Sequence, residues 1–128
     1  MAKFANDAMM DAAFDYLDQA DEMIACSAQP TTYAEATEAD PTGFALADVA
    51  MTPDTDFTKG NGDVSGRKVT VAAKNGVTVD ESGEASHIAL VKASGSVLVY
   101  VTTCTAQQLT QGNTANFPAW DIEIADPV

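Results

Sequence analysis

Lys68-Val69-Thr70-Val71-Ala72-Ala73-Lys74-Asn75-Gly76-Val77-Thr78-Val79-Asp80 consists of two alternating runs on either side of an Asn-Gly pair. Alternation of apolar and polar residues at a period of two marks strands with one buried face. Asn-Gly between such runs predicts a β-hairpin, because both central residues of its tight turn need positive φ. Downstream the pattern repeats. Ser82-Gly83 is a turn, and His87-Ile88-Ala89-Leu90-Val91 is apolar enough for a buried strand. Ser94-Gly95 turns the chain into Val97-Leu98-Val99-Tyr100-Val101-Thr102-Thr103, and Gly112-Asn113 turns it again. Ala115-Asn116-Phe117-Pro118 and Trp120-Asp121-Ile122-Glu123-Ile124 close the series, with Trp120, Ile122 and Ile124 on one face. Many short strands with turns every eight to twelve residues predict an antiparallel β-sandwich or small barrel.

Upstream the period changes. Met10, Phe14 and Leu17 fall at i, i+4 and i+7, which predicts a helix over residues 6–20. Asn6 is its N-cap, and Asp7 and Asp11 sit near the positive end of its dipole. Asp7, Asp11, Asp15 and Asp18 are expected to form a solvated acidic face. Met23-Ile24-Ala25-Cys26 predicts a short strand, and residues 31–43 a loop with at most one short strand near Tyr33. Phe44 to Met51 fits either a strand or a helical turn, and residues 52–63 a loop. The expected fold is mainly β with one N-terminal α-helix. It forms a single domain over residues 1–128, with an N-terminal arm and helix over 1–21 and a β-rich body over 22–128.

A chain of 128 residues, 46% apolar and 20% charged, fits one globular domain with its own core. No apolar run approaches the ~20 residues needed to span a bilayer. The first residues show no signal core, so neither a secretion signal nor a transit peptide is expected. The net charge is −13, of which residues 1–64 carry −11. Nucleic acid and anionic lipid both require clustered cations, so neither is an expected partner. The charge favours solubility and a partner with a basic patch. Cys26 and Cys104 are expected to be reduced thiols in the absence of a secretion signal.

Catalytic signatures are absent. Any base-assisted mechanism would have to use His87, the sole histidine, which begins an apolar strand. There is no nucleophile elbow and no phosphate loop. The isolated cysteines make no zinc set. Asp54-Thr55-Asp56 and Asn61-Gly62-Asp63 gather oxygen ligands but do not match an EF-hand, so no metal is expected. The carboxylate pairs Asp15/Asp18 and Asp121/Glu123 lie on polar faces, where nothing raises a pKa for acid/base work. The expectation is a non-enzymatic protein with no catalytic residues, no cofactor and no metal. Candidate partner contacts are Lys3 and Phe4, ahead of the helix, and Trp120, a hot-spot residue type near the end of the chain.

Ser86-His87-Ile88-Ala89-Leu90-Val91, Leu98-Val99-Tyr100-Val101-Thr102, Gly112-Asn113-Thr114 and Phe117-Pro118-Ala119-Trp120-Asp121-Ile122 together resemble the closing part of a group of small tailed-bacteriophage virion proteins. These are labelled head decoration, head-fibre or tail-fibre-like proteins. The resemblance covers residues 64–128, and more loosely residues 12–33. Gln111-Gly112 departs from the usual alanine-glycine. The resemblance brings no catalytic residues. It implies a capsid decoration (cement) protein on the outside of the major capsid lattice, made in the host cytoplasm and then carried in the virion. Its partners would be the major capsid protein and copies of itself, a trimer being one form. Alternatives are a neck, collar or tail-fibre component, and a carbohydrate-binding β-module whose aromatic contacts would be drawn from Trp120, Tyr33 and Tyr100.

Overall fold

In the computed structural model, which describes residues 5–125, the first element is α1 (Asp7–Leu17). The Asn6 side chain caps it by accepting a hydrogen bond from the Ala8 N–H at 2.7 Å. Met10, Phe14 and Leu17 are buried along one stripe, as their spacing requires. The strands follow as β1 (Glu22–Cys26), β2 (Ala45–Ala50), β3 (Phe57–Asn61), β4 (Arg67–Val71), β5 (Lys74–Thr78), β6 (Gly83–Lys92), β7 (Val97–Leu109), β8 (Thr114–Phe117) and β9 (Trp120–Ile124). A second, short helix, α2 (Tyr33–Thr37), lies between β1 and β2.

All pairings between strands are antiparallel, and they make three sheets. The largest has the order β2-β1-β6-β7, the second β3-β4-β9, and the third pairs β5 with β8. The arrangement is a layered sandwich with open edges rather than a closed barrel. One core joins all of it: Phe14 and Leu17 from α1, Met23, Leu46 and Leu90 from the large sheet, Val69, Val71 and Ile122 from the second, Val77 and Phe117 from the third. On the other face of the large sheet, Ile24, Cys26, Ala89 and Val91 pack with Ala36 of α2. Being covered on both sides makes β1 an unbroken apolar run instead of an alternating one.

The Asn75-Gly76 hairpin is not formed. The chain leaves β4 at Ala72, whose N–H donates to the Asp56 carbonyl, and β5 joins a different sheet. Asn75 and Gly76 lie inside β5, where the register against β8 shifts between Lys74 and Val77. Gly76 has φ +67°, and its N–H donates to the Asn116 side chain at 2.9 Å. The left-handed backbone that Asn-Gly allows is thus used in a β-bulge.

Three further expectations are corrected. Residues 31–43 contain α2, capped by the Thr32 hydroxyl accepting from the Glu35 N–H at 3.1 Å, in place of a loop or strand. Thr32-Tyr33-Ala34-Glu35 is a capping-box spacing, although Glu35 reaches the Thr31 N–H and hydroxyl instead of the cap's own N–H. Residues 52–63 contain β3, which pairs with β4 through a hairpin closed over residues 62–66. Gly66 in that loop has φ +73°, and any Cβ there would strike the Ile124 carbonyl. Finally, the acidic face of α1 is only partly solvated: Asp7 and Asp15 are exposed, Asp11 is half-buried and Asp18 is buried. Phe57, Lys59, Val69, Val71, Arg67 and Ile122 share one face of the second sheet, by register. The helix covers that face's charged end: Arg67 Nε donates to Asp11 at 2.9 Å, and Lys59 binds both Asp15 and Asp18, the latter at 3.0 Å. Asp18 is 3% exposed.

Candidate functional site

Titratable side chains are spent on holding the fold. Lys59, Arg67, Lys68 and Lys74 each pair with a carboxylate. The acidic loop residues follow the same pattern: Asp56 accepts from the Thr52 N–H and pairs with Lys74, while Asp63 pairs with Lys68. Among the described residues no three of His, Cys, Asp and Glu gather as a metal-ligand set. His87 sits inside β6 with Nδ1 2.8 Å from the Ser86 hydroxyl. That hydroxyl also lies 3.2 Å from the Ser27 carbonyl, so its one proton is shared between two acceptor positions. Cys26 and Cys104 are both free. They stand on β1 and β7 with β6 between them, about two strand spacings apart and too far for a disulfide. Burial pushes the Cys26 thiol up to about 12, with the Cys104 charge adding to it.

One group of carboxyls does interact outside these pairs. Burial, a hydrogen bond with Asp48 and the Asp48 charge push Glu22 up to about 7. Asp80 is also raised, by its own hydrogen bond to Asp48 first and by burial next. A carboxyl raised on folding stabilises below its unfolded value, near 4.3, and loses that contribution as pH rises through its folded value. Stability should therefore decline between about pH 4.5 and 7. Glu22→Gln keeps the hydrogen bond and removes the charge. It is expected to match the parent at pH 4.5 and exceed it by about 1 kcal/mol at pH 8, after discounting for partial exposure. Urea unfolding at both pH values checks this; a difference that does not change with pH would refute it.

The surface that stands apart is uncharged. Residues 93–120 contain no Asp, Glu, Lys, Arg or His, a run of 28 in a chain of net charge −13. It folds into the β6–β7 turn, the whole of β7, β8 and the start of β9. Thr103, Thr105, Ala106, Gln107 and Gln108 are exposed along β7. β7 is an edge of the large sheet, 13 residues long, and among the described residues no strand pairs with its outer side. Two neighbouring hollows are lined in part by β7. One of about 200 Å³ is lined by Ala25, Ala85, Cys104, Leu109 and Phe117, and one of about 350 Å³ by Thr102, Thr105, Pro118, Trp120 and Asp121. Ile88, Cys104, Thr105 and Pro118 line both.

Trp120, a sequence candidate, stands at this groove. Its ring stacks on Tyr100 with centroids 6.0 Å apart and packs against the main core. Its Nε1 is buried with no hydrogen-bond partner. Lys3 and Phe4 lie outside the described residues. Tyr33 packs with α2 on the opposite face of the large sheet, so the three aromatic candidates make no common platform. The sequence reading passed over β7 itself as the site. Its signal was the uncharged window, which composition over the whole chain conceals. No protein family, curated protein or solved structure matches this chain.

Proposed function

We propose that this protein is a non-enzymatic bacteriophage capsid decoration protein, bound to the outside of the major capsid lattice and carried in the virion after synthesis in the host cytoplasm. The observation that carries the reading is the extended uncharged face built from residues 93–120 on an otherwise strongly acidic surface. Apart from the Glu22, Asp48 and Asp80 carboxyls, the charged groups described above are tied up in structural ion pairs, and the open surface is a strand edge. Such a face suits docking onto protein, since it brings no charge of its own to desolvate. The stretch that resembles small tailed-phage virion proteins, residues 64–128, contains the segment that builds this face. Repetition over a lattice lets small individual contacts accumulate strength.

The test is stoichiometry in purified particles. A ratio to the major capsid protein near one, or a simple fraction such as one third, is the expected result. A ratio below a few per cent would replace lattice decoration by a neck, collar or tail-fibre position. Absence from particles would overturn the virion reading altogether.

A further inference from the structure

We infer that β7 is a self-association edge: two copies of this chain pair β7 with β7 antiparallel about a two-fold axis, joining their four-stranded sheets into one of eight strands. The inference concerns the free protein; β7 belongs to the face proposed to dock on the lattice, so the dimer and the lattice-bound form are alternative states of one edge.

A long strand edge presents a row of unpaired backbone donors and acceptors, and proteins normally blunt such edges with charge, proline or a covering element. The other edge of this sheet follows that rule. β2 carries Asp48, and its Leu46 carbonyl is taken by the Asp80 and Glu81 N–H groups. β7 uses neither charge nor proline from Val97 to Leu109, and among the described residues its only blunting is by bulges. Two irregularities in its pairing with β6, between Ala85 and His87 and between Leu90 and Val91, leave Tyr100–Thr103 as a regular stretch.

Charge selects the occupant. Two copies of a −13 chain repel across most of their surfaces, and face 93–120 is where they meet without charge. The carboxylate at the groove mouth, Asp121, has the Lys68 ammonium 3.6 Å away. An antiparallel strand is also its own complement, so a two-fold interface needs no second surface. A strand-pair interface falls in the small, weak class, so the dissociation constant should lie roughly in the micromolar range. Salt should tighten it by screening the repulsion between the remaining surfaces.

Sedimentation of the full chain tests this. A monomer–dimer equilibrium at about 10–100 µM, shifted toward dimer on raising salt from about 0.05 to 0.5 M, is expected. The double substitution Thr103→Glu with Thr105→Glu places charge on exposed β7 positions and should weaken dimerisation at least tenfold with an unchanged circular dichroism spectrum. Thr58→Glu, exposed on the β3 edge of the second sheet, should leave it intact. A second readout needs no variant: Cys104 lines the groove while Cys26 is buried, so maleimide labelling of Cys104 should slow as protein concentration rises. A monomer at 100 µM in 0.5 M salt would overturn the inference, as would a trimer or an unchanged dimer in the double variant. A monomer whose double variant fails to enter particles would assign the edge to a strand of another protein, and would equally overturn it.

Discussion

Phe14→Ala is expected to lower stability by about 3–5 kcal/mol, the usual cost of emptying a buried aromatic site. For a domain of this size that is a fall in Tm of roughly 10–20 °C. Phe14 is 2% exposed and sits in the core shared by all three sheets. It is the middle of the three buried residues through which α1 grips the sandwich, so no neighbouring turn of helix can swing in to fill the space. Tyr16, on the same helix but 57% exposed, is the control: Tyr16→Ala should change stability by less than about 0.5 kcal/mol. Thermal and urea unfolding of both variants measure the contrast. A loss below about 1 kcal/mol at Phe14 would mean that α1 is not docked on the sheets in solution.

The helix was legible for the reason that makes this prediction strong. Met10, Phe14 and Leu17 recur at the helical period and all three face the core. The strands legible in advance were those whose inward residues are apolar throughout, such as His87 to Val91 and Trp120 to Ile124. β3 was not legible, because two of its inward positions are Lys59 and Asn61. An inward lysine breaks the apolar alternation, and only the facing helix carboxylates explain its presence. The same pairing misled the reading of α1's acidic stripe, since one sequence segment cannot show that its charges meet cations from another about 50 residues away.

Asn75-Gly76 shows a different limit. Of the two positive-φ residues that a tight Asn-Gly turn requires, Gly76 is one and Asn75 is not. What the pair connects depends on where β5 finds a partner, and β8 lies some 40 residues downstream. A bulge and a hairpin turn draw on the same local chemistry, so tertiary pairing chooses between them. The candidate surface was legible in principle. Its mark is negative, the absence of charge over residues 93–120, and a search for catalytic types passes over such a mark.

Lys59→Met is expected to cost about 3 kcal/mol, more than any other single ion pair among the described residues should. The reason lies in Asp18, not in Lys59. The Asp18 side chain is 4% exposed, and the Lys59 ammonium 3.0 Å away is the cation that compensates it. Removing an exposed partner from an exposed pair costs under about 1 kcal/mol, whereas stranding a buried charge costs about 3–5 kcal/mol. Lys59 itself keeps 29% of its side chain exposed, which places the pair toward the lower end of that range. Hydrogen bonds to Asp15 and then Asp18 hold the lysine charged well above its ordinary range. Its contribution is thus complete at neutral pH and is lost only as pH climbs beyond about 10.5, the unfolded lysine value. Methionine retains most of the apolar stem, so the loss reports the charge and not the packing. Asp18→Asn in the Lys59→Met background should recover at least half of the deficit, because it removes the stranded charge while preserving shape. Urea unfolding of the parent, the two single variants and the double variant closes the cycle. An additive double variant would show that the pair carries no coupling, and that α1 is held to the second sheet by its apolar stripe alone.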